Sequence, residues 1–250
     1  MLYKSTAPFL SLNKKQDRCL LLHEISKNDK EKLEELLVFE KKQKALNFTL
    51  TFDDGFYSSC RVIKELKGKK AIFFVCPEFI NAKDKKAQMD FFHNNLRRGE
   101  IFNSGVLPED LRPVTWDNLR ELVRLGHRIG SHTMTHAKLS RLVSQKDLEK
   151  EIIESGNIIE DQLGVKVDCF SHPFGNVESI NKQAYNIIKQ RYRECYTGIR
   201  GNNQKDFKPH AIWRDHLDLS WPVDYINFVL RGGLDWYYWS KRRKIINMAQ

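Results

Sequence analysis

Short apolar runs alternate with longer charged stretches along the chain, and the two kinds of segment have different periods. The apolar runs predict buried strands over residues 18–25, 48–52, 71–76, 127–131, 167–171 and 195–199. The charged stretches carry apolar residues at helical spacing and predict helices over 30–44, 58–66, 116–125, 145–162 and 182–191. Strand and helix in turn predict an α/β fold with a mainly parallel sheet, closed or nearly closed into a (β/α) barrel.

Two segments fall outside this alternation. Residues 81–113 are too long for a plain connection, and we expect them, with Arg97 and Arg98, to build part of a substrate wall. Residues 221–250 form a predicted helical tail, in which the aromatic run 236–239 precedes the cations of 241–244. This mixture predicts either contact with an anionic membrane surface or a closing helix packed on the barrel.

Length and composition limit the class of protein. The 250 residues fit one large domain, so we predict a single domain over 1–250 with its site core at 46–216. Apolar residues make up 41% and charged residues 30%, and no apolar run approaches the roughly 18 residues of a spanning helix. Residues 1–6 lack the basic-then-apolar order of a secretory signal. We therefore expect a cytoplasmic protein, peripheral at the inner membrane if its tail binds lipid.

The net charge bears on the possible binding partners, and the cysteine spacing bears on disulfides and zinc sites. The net charge of +10 is compatible with nucleic acid, anionic lipid or an acidic glycan. No nucleic-acid motif accompanies the basic residues, so we expect no nucleic-acid partner. The five cysteines are scattered, and no pair has the Cys-x-x-Cys spacing of a zinc knuckle. We predict buried free thiols.

Four polar residues follow two predicted strands and carry the candidate chemistry. Asp53 and Asp54 close one apolar run, and His132 and His136 follow another. In parallel barrels the carboxyl ends of the strands meet at one face, so these side chains are expected to lie together. One carboxylate and two imidazoles make an open site for a divalent metal, and the second carboxylate is then free to act as a base.

Taken alone, each of these pairs is a weak signal. Chance supplies roughly one His-x-x-x-His in every four chains of this length with eight histidines. Adjacent aspartates are common in turns. The joint placement is the stronger argument, because each pair ends a strand near a glycine, Gly55 or Gly130, where the backbone can bend or pack tightly. The combination predicts metal-assisted hydrolysis.

Sequence runs around these positions match a known pattern. Residues 51–55, Thr-Phe-Asp-Asp-Gly, and 131–136, Ser-His-Thr-Met-Thr-His, resemble the first two motifs of polysaccharide deacetylases, the NodB-homology group or carbohydrate esterase family 4. Residues 171–175, Ser-His-Pro-Phe-Gly, resemble the third motif. Smaller likenesses are found at 21–25, 71–75 and 139–140. The resemblance runs from about residue 23 to residue 215.

The resemblance implies an irregular (β/α) barrel of the NodB-homology type. It also implies an enzyme that removes an N- or O-linked acetyl group from a sugar of a polysaccharide or glycolipid precursor. By motif position, Asp54, His132 and His136 are the implied metal ligands, and Asp53 is the implied catalytic base. The implied metal is zinc, and cobalt, nickel or iron suit the same mixed ligands. The predicted substrate contacts are Tyr57, Pro173, Phe174 and Gly175.

The chain departs from the family at two motifs. Many members carry an Arg in the third motif that orients the base, whereas this chain has Ser171 and His172 there. We predict that Arg214, in a stretch like the fourth motif of shorter bacterial members, pairs with Asp53 instead. The Leu-x-His of the fifth motif, which supplies the general acid, is not recognisable. The candidate acids are His23, which we favour, and His216, His172 and His210.

Two other interpretations stay open. The missing fifth motif is compatible with a catalytically impaired, carbohydrate-binding member of the same fold. Retention of three ligands and a base speaks against a pure binder. A different metal hydrolase, such as a phosphoesterase, would need more carboxylate and His ligands at close spacing than the one compact set in this sequence.

Overall fold

The computed structural model describes residues 15–65, 68–97, 100, 102, 106–204 and 207–250. Residues 1–6, on which the prediction about an export signal depends, lie outside the described residues, as do Leu66 and Arg98. Within the described residues the strands are β1 (Gln16–Leu22), β2 (Leu46–Phe52), β3 (Ala71–Val75), β4 (Arg128–Ser131), β5 (Cys169–Ser171), β6 (Glu194–Tyr196) and β7 (Asp215–His216).

Helices occupy most of the connections between strands. They are α1 (Lys27–Lys42), α2 (Tyr57–Glu65), α3 (Pro77–Ile80), α4 (Lys85–Phe91), α5 (Trp116–Arg124), α6 (Gln145–Glu149), α7 (Ser155–Leu163), α8 (Lys182–Arg191), α9 (Val223–Leu230) and α10 (Trp239–Ala249). π-helical turns at Phe92–Leu96 and Lys150–Glu154 continue α4 and α6.

All strand pairs are parallel, in the order β6-β5-β4-β3-β2-β1-β7. The segment 209–216 joins the two edges of this order. At β6 the Thr197 N–H donates to the Ile212 carbonyl over 2.9 Å, and at β1 Leu20 is the register partner of Asp215. The sheet therefore curls into the irregular (β/α) barrel that the sequence predicts.

The bounds of the elements differ from the predictions for local reasons. α1 begins at residue 27 rather than 30 because Ser26 caps it: its Oγ accepts the Asp29 N–H, and its N–H donates to the Asp29 carboxylate. The single helix predicted over 145–162 contains a π-helical turn. β7 was not predicted, because a strand of two polar residues has no apolar run.

Apolar side chains cover both faces of the sheet. All five residues of β3 are buried, as expected of a strand packed on both sides. Phe74, Tyr196 and Ile212 belong to one buried cluster, and the stacked rings of Phe52 and Phe73 belong to the larger core on the other face. Each such side chain stabilises the fold by about 1.5–3 kcal/mol. The five cysteines are buried and free, as predicted.

The long connection 81–113 carries structure of its own. α4 and its π-helical turn supply Phe92, which is buried against Phe56 just before α2, and Phe56 in turn packs against Phe79 of α3. This aromatic packing fixes the end of the π-helical turn beside the carboxyl end of the barrel.

The C-terminal tail packs on the barrel through α9 and α10. α9 buries Ile226, Val229 and Leu230, and α10 buries Ile245 in the same core. No helix of the described residues is long and apolar enough to cross a bilayer.

Three tail aromatics, just before α10 and at its first residue, stay in solvent. Trp236, Tyr237 and Trp239 are 77%, 58% and 57% exposed. They follow Asp235, which accepts hydrogen bonds of 2.8 Å from Arg18 near the amino end of β1. The tail aromatics therefore lie near the amino ends of the strands, at the end of the barrel opposite Asp53 and the other residues that follow the strands.

Candidate active site

The carboxyl ends of the strands surround a cleft of about 410 Å³. Its polar lining comes from different strands, because side chains that follow parallel strands meet at one face. The lining residues are Leu21, His23, Asp53, Asp54, Leu96, Arg97, His132, His136, Phe174, Gly175, Gly198, Arg214 and His216.

A left-handed turn after β2 brings both carboxylates to this cleft. Asp54 has φ 72° and Gly55 has φ 84°, a region that costs non-glycine residues free energy. A Cβ on Gly55 would lie 3.2 Å from Val75. His136, on the facing loop, also has a positive φ of 61°. Positive φ at two site residues is typical of a functional constraint that the surrounding packing maintains.

Asp54 faces the two histidines predicted as ligands. Its Oδ1 lies 3.5 Å from His132 Nε2 and 3.4 Å from His136 Nε2. Asp54, His132 and His136 are all buried, and among the described residues they are the one group of three acidic, His or Cys side chains close enough to hold a metal ion. The structure therefore brings together the three predicted ligands.

Hydrogen bonds fix the tautomer of both rings. His132 Nδ1 lies 2.7 Å from the Ser171 carbonyl, and His136 Nδ1 lies 2.9 Å from the Asn95 carbonyl. A carbonyl only accepts, so each Nδ1 donates, and in the neutral ring each Nε2 then presents a lone pair toward Asp54. Burial lowers the pKa of His132 to about 4 and so keeps its ring neutral, the form that binds metals.

The donor set fits a divalent cation. Asp54 Oδ1 is buried and has no hydrogen-bond partner, although buried carboxylate oxygens are ordinarily satisfied. Neutral imidazole nitrogens cannot donate to it, so these three atoms lack a binding partner until a cation lies between them. Two nitrogens and one oxygen suit zinc, cobalt, nickel or iron.

The second carboxylate, Asp53, is held by an arginine instead. Arg214 forms a bidentate pair with it, with N···O distances of 2.6 and 2.8 Å, as the sequence predicts. Ser171 Oγ accepts from Arg214 over 2.7 Å and lies 3.3 Å from Asp53 Oδ2. Burial opposes ionisation of Asp53, but the cationic Arg214 beside it holds its pKa well below the ordinary value. Asp53 is therefore an ionised carboxylate beside the ligand cluster.

Arg214 has no spare donor. Its Nε donates to the Thr197 carbonyl over 2.8 Å, and one NH also reaches Thr51 Oγ1 over 3.2 Å. The guanidinium comes from the residue directly before β7, and the Ser171 hydroxyl completes its contacts.

Glu151 supports the loop that carries the two histidines. It lies in the π-helical turn after α6, is 7% exposed, and accepts from the Thr135 N–H and Oγ1 over 3.0 and 2.8 Å. π-helical turns inside helices are frequent at functional sites. Sequence reasoning missed Glu151, because a helical period places it on a face without indicating a loop 16 residues away.

The structure separates the four candidate acids. His23 and His216 both line the cleft, with ring centroids 5.7 Å apart. His172 is fully buried with its Nδ1 against Ser179 Oγ, and His210 Nε2 contacts the Tyr192 carbonyl; neither lines the cleft.

Of the four predicted substrate contacts, two line the cleft and two do not. Phe174 is 53% exposed at the rim, 4.9 Å from the His136 ring, and Gly175 lines the cleft next to it. Pro173 is buried beneath them. Tyr57 is absent from the cleft lining, and its N–H donates to the Arg112 carbonyl over 2.8 Å, so the structure does not bring this residue to the site.

Part of the cleft wall comes from the long connection. Leu96 and Arg97 line the cleft, and Arg97 forms an ion pair with Glu24. The structure thus puts part of the segment predicted as a substrate wall into the cleft. Asn95 beside them was not identified from the sequence, since its contact with His136 is made by a backbone carbonyl.

Comparison with protein families agrees with this geometry. The profile of the family described as "Polysaccharide deacetylase" matches residues 40–192, which include Asp53, Asp54, His132 and His136. The chain belongs to the polysaccharide deacetylase family. Both the family and the fold predicted from the motifs are therefore confirmed.

Solved structures share the fold. A polysaccharide deacetylase from Bacillus cereus superposes with a TM-score of 0.61 at 16% identity, over 87% of this chain and 69% of its own. A deacetylase from Streptococcus pyogenes in complex with acetate superposes with a TM-score of 0.59 at 14% identity, over 87% of this chain and 99% of its own. A de-N-acetylase from Aggregatibacter actinomycetemcomitans superposes with a TM-score of 0.57 at 17% identity, over 86% of this chain and all of its own. No curated protein sequence matches the chain.

Proposed function

We propose that this member of the family is a metal-dependent carbohydrate deacetylase, which hydrolyses an N- or O-linked acetyl group on a sugar. One observation carries the proposal. The unpartnered, buried Asp54 Oδ1 faces two imidazole Nε2 atoms, directly beside the ionised Asp53.

In this proposal Asp54, His132 and His136 hold the cation, with zinc the expected metal. When bound, a divalent metal lowers the pKa of a water and polarises the acyl oxygen of the substrate. The Nδ1 contacts of both rings keep the Nε2 lone pairs directed at the cation position.

Asp53 acts as the base. As the water oxygen bonds to the acetyl carbon, Asp53 accepts the proton that the water loses. Arg214 keeps the carboxylate ionised and fixes its orientation through both oxygens. The bond between the acetyl carbon and the sugar nitrogen or oxygen then breaks, and acetate and the free sugar leave.

His23 gives the proton that the leaving nitrogen or oxygen requires. It lines the cleft, half-buried, with His216 beside it as the alternative donor. An amine needs this proton more than an alkoxide does, so replacement of the acid will reduce N-deacetylation more than O-deacetylation.

Acetate release tests the proposal. Wild-type protein, stripped with a chelator and reloaded with zinc, cobalt, nickel or iron, is assayed on N- and O-acetylated oligosaccharides. We expect release to stop on chelation, to return with metal, and to be lost in Asp54→Ala; Asp168→Ala, a carboxylate outside the cleft, is the matched control. Sugar binding without acetate release under any of the metals would favour the impaired, carbohydrate-binding alternative.

The cytoplasmic location and the anionic membrane contact stay predictions. The tail aromatics lie at the amino ends of the strands, whereas the cleft lies at the carboxyl ends. A bilayer bound through the tail would leave the cleft facing away from it, which does not favour a lipid-linked substrate held at that surface.

A further inference from the structure

We propose that a line of aromatic rings, on α9 and directly before it, binds successive sugar units of an extended glycan as it leaves the cleft. This inference rests on the proposed function. The line, here called the aromatic strip, consists of Trp221, Tyr225 and Phe228.

The aromatic strip starts at the cleft without a break. The ring of Trp221 lies 6.1 Å from that of His216, which lines the cleft. Tyr225 lies 5.1 Å from Trp221, and Phe228 lies 6.3 Å from Tyr225, its ring plane within 25° of that of Tyr225. A spacing of three residues puts Tyr225 and Phe228 on one face of α9, and Trp221 lies just before the helix.

The rings are presented to solvent on a rigid support. Tyr225 and Phe228 are 41% and 40% exposed, while the opposite face of α9 is buried in the core. Trp221 is held by Arg200, whose guanidinium lies 5.9 Å from its ring and also donates to the His216 carbonyl over 2.6 Å. The first ring of the strip is thus fixed relative to the strand that carries His216.

The chemistry of the strip favours a sugar over a bilayer. The faces of a sugar ring carry C–H bonds that pack on the electron-rich face of an aromatic ring, while its hydroxyl edge stays hydrated. Residues 217–230 contain Asp218 and Asp224 but no Lys or Arg. Arg200, which contacts Trp221, is buried, whereas an anionic lipid surface would need exposed cations beside the aromatics. The strip therefore fits a glycan that carries no negative charge.

Chain-length dependence tests the inference. Oligomers of N-acetylglucosamine and of O-acetylated xylose, of one and of six units, are compared for calorimetric binding and for acetate release. The wild type is expected to prefer six units over one. In Tyr225→Ser/Phe228→Ser this preference falls by about tenfold, from the loss of two ring contacts, while the affinity for one unit is unchanged.

Trp236→Ser/Tyr237→Ser is the matched control, because it removes two exposed aromatics that do not belong to the strip. It should retain the preference for six units. Calorimetric binding keeps the two proposals apart, since an inactive protein that still prefers long oligomers through the strip would contradict only the deacetylase activity. Equal preference in the wild type and the strip variant, or no preference in the wild type, would overturn the strip.

Discussion

Two buried ionic clusters meet at the short strand β7 and differ in how their charges are satisfied. On the cleft side, Arg214 pairs with Asp53. On the other side, Asp215 lies between Arg18 and Arg200, each at 3.4 Å, and Arg18 also forms two bonds of 2.8 Å with Asp235. We call the second group the anchor cluster.

The anchor cluster is complete, whereas the cleft is not. Both oxygens of Asp215 have a cationic partner, but Asp54 Oδ1 has none. Because neighbouring strand residues point to opposite faces, holding Asp215 from behind also sets the register of Arg214 and His216 in front. The anchor cluster therefore contributes to the stability of the fold, whereas the cleft keeps a carboxylate oxygen available to a ligand.

The largest expected effect is on turnover. Asp53→Asn keeps the shape of the side chain but removes the base, so the rate of acetate release should fall by about 10²–10⁴-fold. Metal content, measured by elemental analysis, should stay at the wild-type level because Asp53 is not a proposed ligand. A variant that retains most of its turnover would remove Asp53 from the mechanism.

The next effect is on folding. Arg18→Met leaves Asp215 and Asp235 without their shared cation and should lower the free energy of unfolding in urea by about 3–5 kcal/mol. Arg128→Met is the matched control: its pair with Asp168 is 2.8 Å but 42% of the arginine side chain is exposed, so its loss should cost at most about 1 kcal/mol. Equal losses in the two variants would contradict the role given to the anchor cluster.

A metal should stabilise the cleft and not the anchor cluster. Zinc at a hundredfold excess over its Kd should raise the free energy of unfolding by about 2.7 kcal/mol, because only the folded chain brings the three ligands together. The increase should vanish in His136→Ala and persist in His210→Ala, whose ring lies outside the cleft. Persistence in His136→Ala would place the bound zinc elsewhere.

The smallest expected effect is the change in the free energy of unfolding per pH unit that is due to His172. Burial lowers the pKa of His172 from 6.5 to about 3, so the unfolded chain binds this proton and the folded chain does not. As pH falls from 6.5 toward 4, the wild type should lose stability relative to His172→Asn by up to about 1.4 kcal/mol per pH unit. Parallel stability curves of the metal-free proteins would show that His172 is protonated in the fold.

Much of the barrel could be predicted, because a buried strand or an amphipathic helix has its own sequence pattern. The meeting of Asp54, His132 and His136 could also be predicted, since they follow strands and parallel strands end at one face. The contacts of Ser171, Glu151 and Asn95 could not, because they depend on loop conformations and on partners far along the chain. Arg214 and Asp53 are 161 residues apart and were paired only through the family resemblance.

Asn95, in the long connection 81–113, links the cleft-lining residues 96 and 97 to the ring of His136. The Asn95 carbonyl accepts from His136 Nδ1, its side chain donates to the Thr135 carbonyl over 2.7 Å, and the next two residues line the cleft. Under the proposed function, a sugar that moves residues 96 and 97 would also move the His136 ring. Any effect of the sugar on metal affinity would then be matched by an equal effect of the metal on sugar affinity, as reciprocal linkage requires.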